Sequence, residues 1–378
     1  YDAEYLEFYL RSDYQLNMEG WQLKVNERSY ELSSYLANDA ISSAPGEYVL
    51  VQGITLPNGG AVLSLYSSEG KLIHAATYRV PWDGANWKKE GGWSLESPDV
   101  NQLCTVSWNW QFSNDPSGGT PGQANSMLAN LVDKEAPVLL FAGLGDPGEC
   151  LLYYSEPLRL SEEVKTGIRL YPGGVEPQRV EAIEPLSEIL SLSFSEDFHQ
   201  WLSFRLSLPE LIDCKGNVAL SDEFRAGALS HALYGSVVIN EIMYDPEEGK
   251  PEYLEIYLPG KKFYDLRDLS IHFVEEGGEA DHPVALSSCS RLILPGQYLV
   301  LAKCVAHLAD AYGLELSGRW VEVEELPALR NSSGTIYLTD RAGNVVDMVV
   351  YSDAMHLELL DDPTGISLER VSWHRSAI

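Results

Sequence analysis

The sequence of 378 residues lacks the short motifs that mark most catalytic and metal-binding sites. It has no C-x-x-C pair, no H-E-x-x-H or H-x-x-x-H spacing among its eight histidines, and no G-x-S-x-G turn to present a nucleophile. These gaps argue against a zinc knuckle, a thioredoxin-type site, a zinc protease and an α/β-hydrolase. We expect no catalytic centre in this chain, and therefore no enzyme activity and no cofactor.

Positive charge is scarce, because 26 Lys and Arg face 56 Asp and Glu and leave a formal net charge of -30. Such a surface repels a phosphate backbone instead of displacing its counterions, so nucleic acid and anionic membrane are disfavoured as partners. No apolar segment approaches the roughly 20 residues that a membrane-spanning helix needs. The chain opens at Tyr1 without a signal-like segment, and we expect that a leader has been removed.

Cysteine is sparse and odd in number, with Cys104, Cys150, Cys214, Cys289 and Cys304. Cys150 precedes an apolar strand-like segment, and Cys214 lies in a turn before Gly216 of the same middle region. In an oxidising compartment these two would form a disulfide, and otherwise they are two unlinked thiols. The sequence assigns no role to the other three.

What the sequence does contain is an internal repeat. Residues 4–10, EYLEFYL, return as residues 252–258, EYLEIYL. In both copies apolar residues alternate with Tyr and Glu, which is the period of a strand with one buried face. Further matches follow in the same order: 45–51 with 295–301, 70–73 with 343–346, and 92–96 with 365–369.

The second copy has extra residues between its matched blocks. Leu301, Val305, Leu308 and Tyr312 follow helical spacing, and Gly313 is placed to end the segment, so we predict one short helix there. Elsewhere both copies alternate in short segments separated by turns, which is typical of an antiparallel sandwich.

The middle of the chain has strand-length segments of its own, bounded by Pro, Gly or acidic turns. A third sandwich of about 90 residues fits the usual size of a domain. The sequence thus predicts an all-β protein of three tandem Ig-like β-sandwich domains, with one short helix in the third. We place the domains at 1–131, 137–230 and 235–378.

Residues 237–246, VVINEIMYDP, followed by EYLEIY, LPGQYLVL, GNVVD and GISLER, closely resemble the bacterial lamin-tail domain. The first copy is similar to the same family and adds its closing pattern, GTPGQANS, at 119–126. The middle segment resembles the Ig-like domains of bacterial surface-layer and secreted proteins through YSEPL at 154–158 and IDCKGN at 212–217. These resemblances imply accessory sandwich modules of an exported protein, located outside the cell, in the periplasm or at the cell surface, without catalytic residues.

Calcium binding has one candidate site. Asp340 and Asn344 lie in a turn and offer oxygen ligands, with Asp347, Asp361 and Asp362 near them in the sequence. Their spacing is not that of an EF-hand loop, and Asp and Asn are also ordinary residues of solvated turns. Both interpretations stay open.

The sharpest sign of binding is aromatic. Trp82 and Trp87 lie in a loop rich in Gly and Asn, where exposed indole rings can stack on sugar rings or anchor a protein partner. Trp93, Trp108 and Trp110 follow in the same region, and we assign them to packing in or at the rim of the first sandwich.

Two functions fit the sequence. The first is a non-catalytic secreted or cell-envelope protein that acts as a scaffold, a spacer or an adhesive module for a protein or polysaccharide surface. The second is the accessory part of a longer secreted hydrolase or nuclease, which binds glycan or substrate through the Trp82 and Trp87 loop. A catalytic domain elsewhere in the same protein would favour the second.

The two copies of the repeat begin and end at different points. Before the shared strand, copy two has the strand-like segment 237–246, whereas copy one has only residues 1–3. After the last shared block, copy one continues to residue 126, whereas copy two has nine residues left and no Thr-Pro-Gly ending. We expect this chain to be a fragment of a longer protein, with at least one open strand edge covered by another chain.

Overall fold

The computed structural model describes residues 4–37, 41–79, 88, 91–99, 110–128, 133–274, 282–315, 317–356 and 362–373. The chain is all-β and folds into tandem Ig-like β-sandwiches, as the alternating sequence pattern predicts. We refer to them as the first, middle and third sandwiches.

In the part of the first sandwich that the structure describes there are ten short strands. The β4-β3-β7-β8 sheet is antiparallel, and β1-β6, β2-β5 and β9-β10 form three further pairs. The bounds are β1 Tyr5–Tyr9, β2 Leu16–Asn17, β3 Gln22–Val25, β4 Arg28–Glu31, β5 Ser42–Ser43, β6 Tyr48–Gln52, β7 Ala61–Tyr66, β8 Leu72–Tyr78, β9 Leu95–Glu96 and β10 Gln111–Phe112.

The middle sandwich has a four-stranded sheet in the order β11-β12-β16-β15 and two three-stranded sheets, β14-β17-β20 and β13-β18-β19. Its elements are β11 Leu139–Leu144, β12 Glu149–Tyr154, β13 Leu158–Arg159, α1 Glu162–Gly167, β14 Arg169–Tyr171, β15 Arg179–Ala182, β16 Ile189–Ser193, β17 Phe204–Leu208, β18 Leu211–Asp213, β19 Val218–Ala219 and β20 Asp222–Ala226.

The third sandwich packs a five-stranded sheet, β28-β27-β22-β21-β31, against a four-stranded one, β25-β24-β29-β30, with β23-β26 as an extra pair. Its elements are β21 Val238–Met243, β22 Tyr253–Tyr257, β23 Tyr264–Asp265, β24 Leu269–Val274, β25 Val284–Ala285, β26 Leu292–Ile293, β27 Tyr298–Ala302, α2 Val305–Tyr312, β28 Trp320–Glu322, β29 Ser333–Asp340, β30 Val345–Ser352 and β31 Leu368–Glu369.

The first and third sandwiches share a strand order. The β3-β7-β8 row matches β24-β29-β30, β1-β6 matches β22-β27, and β2-β5 matches β23-β26. The match extends to side chains, because Tyr9 faces Tyr48 across β1-β6 and Tyr257 faces Tyr298 across β22-β27. The sequence repeat is therefore also a repeat of structure.

Buried hydrophobic side chains form three clusters, one for each sandwich. The middle cluster also includes Leu292 of β26, so the middle and third sandwiches share part of their packing. The predicted domain boundaries stay predictions. Because Leu292 packs in the middle cluster, the boundary between the middle and third sandwiches does not fully separate their cores.

The predicted helix is α2, and it ends as expected at Gly313, whose φ of 62° is left-handed. It begins later than predicted, at Val305, because Leu301 belongs to β27. The middle sandwich contains α1, which the sequence analysis missed. Its six residues are too few to show a period and bury only Val164, although the Ser161 side chain caps it by accepting the N–H of Val164. Neither helix among the described residues is long and apolar enough to cross a membrane.

A buried ion pair fastens the last described strand to the third sandwich. Arg370 Nη2 lies 2.6 Å from Asp347 Oδ2, and both side chains are under 10% exposed at 7% and 3%. The same Asp347 oxygen accepts the N–H of Ile239 at 2.8 Å, and Arg370 Nε donates to the carbonyl of Ile239 at 2.8 Å. Strands β21, β30 and β31 thus meet at one charge pair.

Replacing Arg370 by Ala leaves the Asp347 carboxylate buried without its cation. We expect Arg370→Ala to lower the free energy of unfolding of the third sandwich by about 3–5 kcal/mol. Arg341→Ala is the matched control, because Arg341 pairs with Asp268 at an exposed position, and such pairs contribute about 1 kcal/mol or less. Calorimetry of both variants would measure the difference, and equal losses would contradict the assignment.

Candidate functional site

The predicted aromatic pair, Trp82 and Trp87, lies outside the described residues, as does Trp108. The other two nearby tryptophans are described. Lys88 Nζ lies 4.7 Å from the ring centroid of Trp93. Trp110 packs against the first cluster and donates its Nε1–H to the Thr77 carbonyl at 2.8 Å. These are packing contacts, and ligand binding by Trp82 and Trp87 stays a prediction.

Asp340 and Asn344 close the turn between β29 and β30. Asp340 Oδ1 accepts the N–H groups of Ala342 at 2.9 Å and Asn344 at 2.8 Å, and Oδ2 accepts Asn344 Nδ2 at 2.9 Å. The hydrogen bonds from Asn344 lower the pKa of Asp340. The Asp340 carboxylate therefore accepts hydrogen bonds within its own turn, and calcium binding here stays a prediction.

The predicted disulfide between Cys150 and Cys214 is wrong. Cys150 is a free thiol, whereas Cys214 belongs to a disulfide with a different partner. Cys150 lies on the buried face of β12 together with Leu152, while Cys214 follows β18 in a turn. Burial raises the pKa of Cys150 to about 12, so the thiol stays protonated at neutral pH.

Three carboxylates converge beside the segment that joins the first and middle sandwiches. The oxygens of Asp133, Glu156 and Asp213 lie within 4.8 Å of one another. Asp133 precedes β11, Glu156 follows β12 and Asp213 ends β18. Glu156 is 6% exposed and Asp213 is fully buried, so two of the three are removed from water.

The Asp213 carboxylate is held in place by the turn that follows it. Its Oδ1 accepts the N–H groups of Lys215 at 2.8 Å, Gly216 at 2.6 Å and Asn217 at 2.8 Å, and its Oδ2 accepts Asn217 Nδ2 at 2.7 Å. These four hydrogen bonds fix the position of Asp213 beside its neighbour Glu156.

The pKa of Glu156 is raised. Burial, followed by the charges of Asp133 and Asp213, raises the pKa of Glu156 to about 8. At neutral pH Glu156 is therefore mostly protonated, and its hydroxyl is the donor in its hydrogen bond with Asp213. When the proton leaves, the three groups become the kind of hard oxygen ligands that calcium takes.

The sequence analysis missed this cluster. Its only signal is one acidic residue in each of three loops, separated by more than twenty positions along the chain. Glu156 and Asp213 both lie in the segments that carry the resemblance of the middle sandwich to bacterial Ig-like domains. Their convergence appears only when the strand order places those loops at one end of the sandwich.

A second polar group lies where the middle and third sandwiches meet. The side chain of Asp265 is fully buried, and it accepts the N–H groups of Arg267 at 2.9 Å and Arg291 at 3.0 Å and the hydroxyl of Ser290 at 2.6 Å. Ser290 Oγ in turn accepts the N–H of Leu144 from β11 at 2.8 Å. A chain of satisfied hydrogen bonds thus crosses the joint.

Arg291 closes the same joint. Its guanidinium lies 4.4 Å from the ring centroid of Phe141 and donates to the carbonyls of Gly318 at 3.0 Å and Trp320 at 2.8 Å. Burial lowers the pKa of Arg291 to about 10, which leaves it charged at neutral pH. A cation held between an aromatic face and two carbonyls fixes the orientation of both sandwiches.

Two glycines allow the backbones to meet at this joint. A Cβ added at Gly143 would lie 2.2 Å from the carbonyl oxygen of Ser290, and one at Gly318 would lie 1.7 Å from that of Leu140. Neither distance leaves room for a methyl group. Glycine at these two positions therefore allows the backbones of the two sandwiches to approach this closely.

The first and third sandwiches present equivalent tyrosine pairs. Tyr9 and Tyr48 have ring centroids 5.1 Å apart, and Tyr257 and Tyr298 stack at 4.3 Å. Tyr9 is 39% exposed and Tyr298 is 43% exposed. Paired, partly exposed aromatic rings of this kind provide contact area at little cost in side-chain entropy.

Comparison with known proteins finds a family similarity in part of the chain. The Lamin Tail Domain matches residues 231–353, about a third of the chain, which covers most of the third sandwich. No curated protein matches the sequence.

Two solved structures are similar at a low level. The N-terminal part of the bacterial S-layer protein SbsC is 10% identical, with 58% of this chain and 44% of that chain covered and a TM-score of 0.23. The Bacteroides ovatus mixed-linkage glucan utilization locus protein SGBP-B, solved with a mixed-linkage heptasaccharide, is 14% identical, with 90% of this chain and 59% of that chain covered and a TM-score of 0.22. The chain spans less than two thirds of either protein, and we draw no functional argument from these scores.

The raised pKa of Glu156 predicts how stability depends on pH. The folded state holds a proton on Glu156 that the unfolded state loses near pH 4.5, so the free energy of unfolding falls as pH rises from about 4.5 to about 8. Glu156→Gln imitates the protonated acid, and we expect its Tm to exceed that of the wild type by roughly 3 °C or more at pH 8.5 and to match it near pH 4.5.

The exposed Glu210 provides the control, because Glu210→Gln removes a carboxylate from the same sandwich outside the cluster. Thermal unfolding of the three proteins across the pH range measures the effect. A gain in Tm for Glu156→Gln that is the same at both pH values would rule out the titration of Glu156 as its cause.

Proposed function

We propose that this chain is a non-catalytic scaffold of a secreted or cell-surface protein, and that it holds binding surfaces for protein or polysaccharide at fixed positions. The observation that carries the proposal is the joint between the middle and third sandwiches. The joint contains a buried carboxylate, a buried arginine and two glycines without space for a methyl group. Together these features keep the two sandwiches in one orientation.

The order of domains is part of the proposal. We place a lamin-tail-like domain at 1–131, an Ig-like domain at 137–230 and a second lamin-tail-like domain at 235–378. Support for the first of these is the strand order that it shares with the third sandwich, together with the equivalent pairs Tyr9–Tyr48 and Tyr257–Tyr298. The joint near Leu292 links the last two.

An exposed ion pair links the first sandwich to the third. Arg79 forms an ion pair with Glu322 of β28, and the Arg79 and Glu322 side chains are 52% and 23% exposed. The same Arg79 lies near Glu188, where burial raises the pKa to about 7 and the charge of Arg79 opposes that rise. Ion pairs this exposed contribute little stability. The scaffold therefore combines the joined middle and third sandwiches with a first sandwich that, among the described residues, contacts the third through this ion pair.

Location outside the cytosol has two supports. Cys214 is disulfide-bonded, and disulfides persist in oxidising compartments. The net charge of -30 suits a surface that repels nucleic acid and anionic membrane. The tyrosine pairs supply the contact faces that a scaffold of this kind would present to a protein or polysaccharide.

Opening the joint tests the proposal. Gly318→Ala sets a methyl group against the carbonyl of Leu140, and overpacking of this kind costs about 1–3 kcal/mol. We expect the middle and third sandwiches to unfold in one calorimetric transition in the wild type and in two in Gly318→Ala. Small-angle scattering of the folded variant should give a larger radius of gyration.

Gly59→Ala is the matched control, because nothing lies within 4 Å of a Cβ at that position. It should leave both measurements unchanged. If Gly318→Ala keeps a single transition and the wild-type radius, the joint does not hold the two sandwiches together and the scaffold proposal loses its main support.

A further inference from the structure

We propose that two copies of this chain associate through the outer edge of β15 in the middle sandwich, with the two β15 strands antiparallel and their pairing centred on Val180. The four-stranded sheets of the two copies then form one continuous sheet. This inference goes beyond the scaffold function, because a scaffold made of one chain requires no second copy.

Strand β15 is the last strand of its sheet. The order β11-β12-β16-β15 gives it a neighbour on one side, and among the described residues no strand lies on the other side. The structure describes residues 133–274 without a gap, so every strand of the middle sandwich is included. The outer edge of β15 is therefore open within a sandwich that is described in full.

The backbone groups on this edge follow from the hydrogen bonds on the other edge. Ile183 donates its N–H to the carbonyl of Ile189, which pairs it with the strand β16 side. Since alternate residues of an antiparallel strand face opposite edges, the N–H and C=O groups of Val180 and Ala182 face away from β16. Neither residue has a backbone partner on that edge among the described residues. Unpaired groups of this kind allow a further strand to pair.

An apolar groove of about 570 Å³ runs along the same edge. Val180 and Ala182 line it from β15, and Leu158 and Leu160 line it from β13 and the residue that follows. Val180 and Leu160 are half-buried and pack against the middle cluster. Because residues opposite each other in a sheet point to the same face, Val180 of an added β15 strand points into this groove.

The sequence of β15 is complementary to itself. Pairing centred on Val180 places Arg179 opposite Glu181 of the second copy, and Glu181 opposite Arg179 of the second copy. Within one copy these two side chains form an ion pair at 2.6 Å and are 69% and 49% exposed. The pair of one copy can therefore lie beside the pair of the other without being buried. Positive and negative charges then alternate across the joint, which favours this pairing.

Charge also selects the register. Hydrogen-bonded pairs can form only between residues whose backbone groups face the edge, so Val180 can lie opposite Val180 or Ala182, or Ala182 can lie opposite itself. With Val180 opposite Ala182, Glu181 meets Glu181 of the other copy, and like charges directly opposite are destabilising. With Ala182 opposite itself, no opposite charges meet across the joint. Only the register centred on Val180 brings each Arg179 to a Glu181.

A second copy satisfies every feature of this edge. Each copy offers the same strand edge, the same groove and the same charges, so the contact is isologous and association stops at two chains. The net charge of -30 opposes the approach of two copies. At about 0.15 M salt, however, charges more than about 8 Å apart are largely screened, and the alternating charges in direct contact dominate.

Sedimentation equilibrium of the 378-residue chain at about 0.15 M salt tests the proposal. The wild type should show a reversible equilibrium between monomer and dimer, without larger species. A chain that stays monomeric at concentrations up to about 1 mM would overturn the proposal.

Two charge exchanges locate the contact. Glu181→Arg leaves only positive charges across the joint, and Arg179→Glu leaves only negative charges. We expect each variant alone to dimerise at least about tenfold more weakly than the wild type. In an equimolar mixture each new charge meets the opposite charge of the other variant, so the mixture should form a heterodimer with a dissociation constant within about threefold of the wild-type value.

Glu210→Arg is the matched control, because it makes the same change of net charge at an exposed position of the middle sandwich away from β15. Its dimerisation should match that of the wild type. If the two single variants dimerise as well as the wild type does, the contact lies elsewhere on the chain and the proposal is wrong. If both variants are monomeric and their mixture stays monomeric, the antiparallel pairing centred on Val180 is contradicted.

Discussion

One buried carboxylate, Asp265, controls how the middle and third sandwiches meet. A charge without access to water is tolerated only when donors surround it, and Asp265 has two backbone N–H groups and the hydroxyl of Ser290. Those bonds orient Ser290 toward the N–H of Leu144 and place Arg291 against Phe141. The orientation of the two sandwiches therefore follows from satisfying one charge.

Charged contacts elsewhere in the molecule differ from this joint. The exposed Arg79–Glu322 ion pair contributes little to holding the first sandwich against the third, because water competes for each partner. The carboxylate cluster around Glu156 lies beside the segment that joins the first and middle sandwiches, and its charge changes as pH rises. A fixed joint between two sandwiches suits a protein that spaces binding surfaces apart.

The sequence predicts what is local. Alternation in the EYLEFYL and EYLEIYL segments predicts β1 and β22, and helical spacing with Gly313 predicts α2, because each pattern lies within a few neighbouring residues. The disulfide prediction failed because sequence does not show which face of β12 carries Cys150. The Asp265 joint and the Glu156 cluster bring together residues far apart in the chain, and no periodicity marks such contacts.

Amide hydrogen exchange at Leu144 tests the central claim most directly, because its N–H bonds to Ser290 Oγ across the joint. If the two sandwiches form one rigid pair, the Leu144 amide should exchange as slowly as the amide of Leu152, which lies in the core of the middle sandwich. Exchange of Leu144 at the rate of an exposed turn, with Leu152 still protected, would mean that the joint opens while the sandwiches stay folded, and would contradict the account.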